Sequence, residues 1–428
     1  MNQLANPSIV AQTGKQLAHA GNRVVITGIA GITSLGHDWP TIEANLRRGA
    51  SGVVRMDQWD RFTELNTRLG APVLDFVEPP HFTRKVMRSM GRVSKLASRA
   101  SELALIDSGL RHDPEIKNGS MGVAYGSCTG STDAITEFTS MLVESTIGKI
   151  NATTYIRMMP HTAAANVGVF LGLKGRIIPT SSACTSGSQA IGYSYEAIRF
   201  GRQTMMLAGG AEELCVTEAA VFDTLYATST RNDAPTTTPA PFDKNRDGLV
   251  IGEGACTLVL EELEHAKARG AKIYAEIVGF GSNSDGDHLT HPNTHTMQVA
   301  MANALADAGL PPSAIGYVSA HATATEQGDI AEAQAMQRLF GGRTPVSSLK
   351  GNYGHTLGAC GALESWLAIE MMNRGWFAPT LNLQQVDERC GELDYVVGGG
   401  RELQCEYVMN NNFAFAGINT SLIFRRWS

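Results

Sequence analysis

The sequence contains no CxxC pair, no unbroken apolar run of about 18 residues and no surplus of basic charge. Its seven cysteines (Cys128, Cys184, Cys215, Cys256, Cys360, Cys390 and Cys405) are scattered and odd in number. That argues against a disulfide framework or a zinc site and suits a reducing compartment. With no long apolar run, no membrane span is expected. Residues 1–21 are polar and mixed and lack the apolar core of a signal peptide, so they read as a polar leader and the chain as cytoplasmic. The net charge of −6 disfavours non-specific nucleic-acid binding.

What is present is a globular composition, 43% hydrophobic and 18% charged, over 428 residues. At ~100–200 residues per domain, two or three domain-sized units fit. Strand-like and helix-like runs alternate. Arg23 to Gly28 reads as a strand ended by glycine, Ser94 to Leu110 as a helix, and Met121 to Gly126 as a buried strand. Arg176 to Thr180 leads into Cys184 and a helix to Phe200; Met205 to Gly210 is the next strand. The second half repeats the rhythm, with strands at Lys272–Gly279, Ile315–Ala320 and Asn419–Phe424 and helices at Thr296–Ala308, Glu326–Leu339 and Leu363–Met372. This alternation predicts an α/β fold with buried strands. Each half places a reactive residue just after a buried strand, which suggests a duplicated α/β unit.

Cys184 sits among small and hydroxyl residues, Pro179-Thr-Ser-Ser-Ala-Cys184-Thr-Ser-Gly-Ser-Gln189, at a strand-to-helix junction. Unpaired N–H groups and the helix dipole there favour a thiolate, the right nucleophile for thioester exchange. The same N–H groups suit an oxyanion. A small buried cysteine in a serine-rich turn is the plainer reading of this segment alone. His321 follows a strand in Ser319-Ala-His321-Ala-Thr-Ala-Thr325; His355 lies beside glycines, five residues after Lys350. His288 and His291 tempt a metal reading.

These segments resemble the elongating β-ketoacyl-[acyl carrier protein] synthases of types I and II, the Cys-His-His condensing enzymes of the thiolase superfamily. Further segments carry the resemblance: Ser229-Thr-Arg231-Asn-Asp233, Pro241-Phe-Asp-Lys-Asn-Arg-Asp-Gly248, Gly252-Glu-Gly-Ala255 and Leu260-Glu-Glu-Leu-Glu-His-Ala266. It runs from about Arg23 to Phe424. The resemblance implies a duplicated, five-layered α-β-α-β-α thiolase fold, with residues 22–268 carrying the nucleophile and 269–428 the two histidines. It implies that Cys184 accepts an acyl group, that His321 and His355 promote loss of CO2 from malonyl carrier protein and bind the enolate, and that Lys350 tunes them. Glu364 would be a buried structural acid. Phe415 would be the gate, its N–H joining that of Cys184 in the oxyanion hole. Thr129 would line the acyl pocket. Arg231 and Lys85, the latter in the basic cluster Arg84, Lys85, Arg88, Arg92, Lys95 and Arg99, would contact the acidic carrier. No cofactor is required. The resemblance gives the segment of His288 and His291 no metal role and implies a polar loop near the pocket mouth, so no metal is expected. A homodimer is implied; the active half of a ketosynthase/chain-length-factor heterodimer and a non-catalytic partner subunit are the alternatives, the second opposed by Cys184. A non-decarboxylating thiolase is disfavoured because Cys390 and Cys405 lack a Cys-x-Gly setting.

The sequence departs from the family at His321-Ala322-Thr323, where His-Gly-Thr is common, and at Phe413-Ala-Phe-Ala-Gly-Ile-Asn419, where Phe-Gly-Phe-Gly-Gly-Thr-Asn is common. Alanine restricts angles that glycine permits. The expectation is a gate with ordinary backbone angles and altered movement.

Overall fold

The computed structural model describes residues 21–148 and 150–428. The polar leader expected over 1–21 lies outside them, Gly21 excepted. Eleven strands form one mixed sheet: β1 Val24–Thr33, β2 Met121–Gly126, β3 Ile177–Pro179, β4 Met205–Glu212, β5 Gly254–Glu262, β6 Ala275–Ser284, β7 Ile315–Ser319, β8 Pro345–Ser347, β9 Asp394–Tyr395, β10 Tyr407–Ala414 and β11 Ile418–Arg426. Their order is β9-β8-β7-β10-β11-β6-β1-β5-β4-β2-β3.

That order contains the same pattern twice. Counted within its own half, β3-β2-β4-β5-β1 reads third, second, fourth, fifth, first. So does β8-β7-β10-β11-β6, with β9 added at the edge. In both halves the fifth strand runs antiparallel to its two neighbours and the other pairs are parallel. A short antiparallel contact of Val24–Ile26 with Ala275–Ile277 joins the halves.

The helices complete the layers. α1 Arg92–Asp107 and α2 Thr162–Leu171 pack on the outer side of the first half; α4 Thr294–Ala308 covers the second, with α5 Glu326–Phe340 against it. Between the halves lie α3 Ser186–Arg199 and α6 Cys360–Arg374, each touching strands of both. These middle helices are buried nearly all round, 11 of 14 residues in α3 and 12 of 15 in α6. Hence small and apolar residues fill most of their faces, with Gln189 on α3 and Glu364 on α6 as buried polar exceptions. They approach closely where side chains vanish: a Cβ at Gly187 would lie 2.9 Å from Ala362 N, and one at Gly361 2.7 Å from Ser188 N. The fold is thus α/β, two halves of like strand order around a buried pair of helices.

Strand boundaries differ from the sequence reading, most at β6, which runs Ala275–Ser284 rather than Lys272–Gly279, and at β1. Gly28 does not end β1, which continues to Thr33 with a bulge between Ile26 and Gly28. The glycine lets α1 approach, since a Cβ there would lie 2.4 Å from Ala104 O.

Candidate active site

The chain turns sharply from β3 into α3. Ala183 takes a left-handed φ of 51°, and Ala183–Thr185 form one 3-10 turn before α3 begins. Hydroxyls tie this elbow: Thr180 Oγ1 donates to Ser186 O at 2.9 Å, and Ser186 Oγ donates to Ala183 O at 2.7 Å. Non-glycine residues in that region of φ cost on the order of 1–3 kcal/mol, so the surrounding structure holds the strain. Cys184 points from the elbow into a cavity of about 480 Å³, lined also by His321, His355, Phe222, Thr323, Phe413 and Phe415 among others.

His355 Nε2 lies 3.0 Å from Cys184 Sγ. Its backbone is sewn to a neighbouring segment, His355 N donating to Val250 O at 2.7 Å and Gly252 N donating to His355 O at 2.9 Å. Gly354 makes the approach possible at φ 73°. His355 Nδ1 has no hydrogen-bond partner among the described residues.

His321 follows β7 and sits with its ring centroid 5.1 Å from that of His355, nearly perpendicular to it. Its Nδ1 faces Lys350 Nζ and Asn412 Nδ2, each at 3.4 Å. Both partners are donors, so Nδ1 accepts and the proton of the neutral ring sits on Nε2. Glu364 anchors the group: it pairs with Lys350 and accepts from Asn412 Nδ2 at 2.6 Å. The donor atoms of Cys184, His321 and His355 lie within 4.8 Å of one another. An Nε2 that carries a proton offers no lone pair to a metal, so this wiring suits hydrogen-bond donation rather than ligation.

Burial sets the charges. It pushes the Cys184 thiol up to about 12, against the pull of Lys350. This corrects the expectation of a resting thiolate: the cysteine is buried within the 3-10 turn that leads into α3, and burial outweighs the helix terminus. Burial, and then Lys350, hold both histidines well below the ordinary imidazole range, so both are neutral. Burial alone would lower the Lys350 ammonium, but Glu364 more than offsets it and the ammonium is held above its usual range.

Two acids that the sequence reading missed support His321. Glu332 accepts from His321 N at 2.8 Å and from Ala322 N at 2.7 Å; Asp329 accepts from Phe242 N at 2.8 Å and Ala324 N at 3.1 Å. Burial raises them to about 8 and about 6 against those donors. They stand three residues apart on α5, one helical face. On α5 they share the buried side with Ala331, Ala333, Ala335 and Met336, a pattern too weak in the sequence to mark them.

The gate segment is strained, which corrects the expectation of ordinary angles. Ala414 is extended (φ −117°, ψ 159°), but Ala416 is left-handed (φ 66°, ψ 13°). Ala322 is not among the residues with positive φ. Phe415 packs its ring 5.1 Å from Phe222. Ala416 N donates to Leu289 O, and Asn419 Nδ2 donates to Asp285 Oδ1 at 2.7 Å, so the gate is tied to the loop carrying His288 and His291. His291 lines the cavity mouth.

The remaining sequence candidates lie elsewhere. Thr129 is not in the cavity lining; its hydroxyl donates to buried Glu218 at 2.9 Å. Lys85 is exposed on the short helix Arg84–Met87. Arg92, Lys95 and Arg99 pair with Glu253, Glu78 and Glu102, whereas Arg84, Lys85 and Arg88 form no ion pair among the described residues. Arg231 is half-buried, donating to Thr237 O and Asn245 O and pairing with Asp247.

Comparison with known proteins gives a consistent picture. Residues 21–266 match the family model for the N-terminal domain of beta-ketoacyl synthase, and residues 274–384 match that for its C-terminal domain. The chain is 38% identical over 411 residues to 3-oxoacyl-[acyl-carrier-protein] synthase 2 of Vibrio harveyi, covering 94% of this chain and 98% of that protein. It is 35% identical to synthase 1 of Haemophilus influenzae, covering 95% and 99%. Among solved structures, a beta-ketoacyl synthase from Burkholderia phymatum superposes with a TM-score of 0.94 at 61% identity, covering 95% of this chain and 100% of that one. The ishigamide ketosynthase/chain length factor superposes with a TM-score of 0.87 at 30% identity, covering 96% and 100%.

Proposed function

The chain belongs to the beta-ketoacyl synthase family, and from that premise we propose how its residues carry out the condensation. It is a 3-oxoacyl-[acyl-carrier-protein] synthase, an acyltransferase that acts in fatty-acid synthesis. The observation that carries the residue assignment is the convergence of Cys184, His355 and His321 at the base of one cavity.

In the first step an acyl carrier thioester enters the cavity. The Cys184 thiol gives its proton to His355 Nε2, and the sulfur attacks the thioester carbon. The carrier thiolate leaves and takes that proton from His355 Nε2, which returns the ring to its neutral form. His355 suits this because its unpartnered Nδ1 leaves Nε2 able to present a lone pair or an N–H. In the second step malonyl carrier protein enters. The C–C bond to its carboxylate breaks, CO2 leaves, and the electron pair forms an enolate. The Nε2–H groups of His321 and His355 stabilise its oxygen. Both rings are held neutral, so they donate without charge transfer. The enolate carbon attacks the acyl-cysteine, whose oxyanion is received by the N–H groups of Cys184 and Phe415. Collapse expels the Cys184 sulfur and yields 3-oxoacyl carrier protein. Neither step calls on a cofactor.

For the carrier, the exposed cations Arg84, Lys85 and Arg88 supply an acid-seeking patch. Arg231 is assigned a second role there, through the loop it holds beside cavity-lining Asp247. A homodimer is the assembly favoured. Strand β3 ends the sheet with an unpaired edge, and Ile177 and neighbouring Val169 are 48% and 80% exposed. The halves are divided at residues 268 and 269. Among the described residues no helix is long and apolar enough to cross a membrane, and a cytoplasmic location is assigned.

Intact-mass spectrometry tests the reading. The protein is mixed with a panel of acyl carrier thioesters and then with malonyl carrier protein, beside Cys184→Ala. An acyl adduct on the wild type alone, discharged as 3-oxoacyl carrier on adding malonyl carrier, supports it. No adduct with any primer would count against Cys184 as a competent nucleophile in the isolated chain.

A further inference from the structure

Strand β10 turns Asn410 and Asn412 to the same face, toward α6. Asn410 Nδ2 donates to Gly361 O and Ser365 Oγ, both at 3.1 Å, and to Asn412 Oδ1 at 3.3 Å. That orients the Asn412 amide, oxygen toward Asn410 and nitrogen toward the site. The nitrogen lies 2.6 Å from Glu364 Oε2 and 3.4 Å from His321 Nδ1. Turned over, the amide would set its oxygen against the Glu364 carboxylate and the His321 lone pair, both acceptors.

We propose that Asn412 is a positioning residue for decarboxylation, holding His321, together with Lys350, in the tautomer whose Nε2–H faces the cavity. The inference rests on the condensing reading above. Lys350 reaches the same Nδ1, also at 3.4 Å. Both donors also bind Glu364, so Lys350, Glu364, Asn412 and His321 form a closed ring of contacts. An asparagine has no proton to lose, so its donor stays in place whatever the charge of the lysine. Asn410 Oδ1 has no partner among the described residues, but every polar atom of the ring itself that faces Glu364 or His321 is paired, and a buried network of such contacts favours one arrangement of its members.

The test uses full-length protein labelled with 15N-histidine, with His321→Ala to assign the ring. The wild type should give a pyridine-type resonance at His321 Nδ1 and a pyrrole-type one at Nε2. Asn412→Ala should lower malonyl-carrier decarboxylation about tenfold, the worth of one buried hydrogen bond. Acyl loading of Cys184 should stay within about twofold of wild type, because loading does not use His321 Nε2–H. Lys350→Met combined with Asn412→Ala should mix the two tautomers and cost more than either change alone. Thermal unfolding of each variant reports whether it folds. A competent wild type whose double variant, still folded, keeps the original tautomer would overturn this inference alone. So would a loss of loading equal to the loss of decarboxylation. A wild type that takes an acyl group but cannot decarboxylate malonyl carrier would instead sink the condensing reading.

Discussion

Lys350 and Glu364 form an ion pair in which neither side chain is exposed to solvent. Removing one partner of a buried pair leaves a bare charge and costs about 3–5 kcal/mol, whereas apolar replacement of both is often neutral. Glu364→Ala should therefore lower folding stability by about that amount in urea titration. Lys350→Met with Glu364→Leu should regain most of the stability and still decarboxylate malonyl carrier poorly. Equal recovery of stability and activity would show that the pair serves folding alone.

The Cys184 thiol is raised to about 12 by burial. It is therefore protonated at neutral pH, and its thiolate fraction climbs about tenfold per pH unit below that value. Alkylation of Cys184 by iodoacetamide, followed by intact mass, should rise steadily from about pH 6 to about pH 10. A plateau near neutrality would mean a stabilised resting thiolate.

Ala416 occupies the left-handed region and Ala414 does not. Ala416→Gly should then stabilise the protein by about 1 kcal/mol, the steric cost of a Cβ at that φ. Ala414→Gly should destabilise by about 0.5–1 kcal/mol, because glycine only adds freedom to an extended residue. Denaturant midpoints of the two variants, measured side by side, must move in opposite directions.

Glu332 grips two successive N–H groups at His321 and Ala322. Burial raises Glu332 to about 8, so near neutrality it is a mostly neutral acceptor, and its loss leaves two buried N–H groups unpaired at about 1–3 kcal/mol each. Glu332→Ala should lower stability by roughly 3 kcal/mol and reduce decarboxylation at least tenfold while acyl loading of Cys184 persists. The comparison of initial rates for the two half-reactions decides it.

Thr129 spends its hydroxyl on Glu218. Thr129 lies outside the lining of the cavity, and only the reading of its loop as part of the acyl pocket has Thr129→Ile, which removes that donor and adds bulk, shift the product profile toward shorter chains. Thr129→Val, which loses the same donor with less bulk, separates the two effects. Identical profiles for wild type and Thr129→Ile would detach this position from chain length.

Much of the site could be read from the chain because its residues follow strands. Cys184 and His321 follow strands closely and His355 follows β8 after the helical turn Lys350–Tyr353, where α/β folds present side chains to a crevice, and small residues around each signal tight turns. The support behind them was less legible. Asp329 and Glu332 look like ordinary surface acids of an exposed helix, and only tertiary packing turns them inward. Asn412 lies in a run of three asparagines, and no local pattern says which neighbour each will meet. Arg231 reads as a free cation until its loop folds back over it. The resting charge of Cys184 also escaped, since burial outweighs a helix terminus only once the depth of the elbow is known.

The doubled strand order places Cys184 and His355 at matching points, each after the third strand of its half and before a middle helix. Two turns built at the same place in two like halves therefore open toward one another, which is how a thiol and an imidazole 171 positions apart in the chain come to lie 3.0 Å from each other.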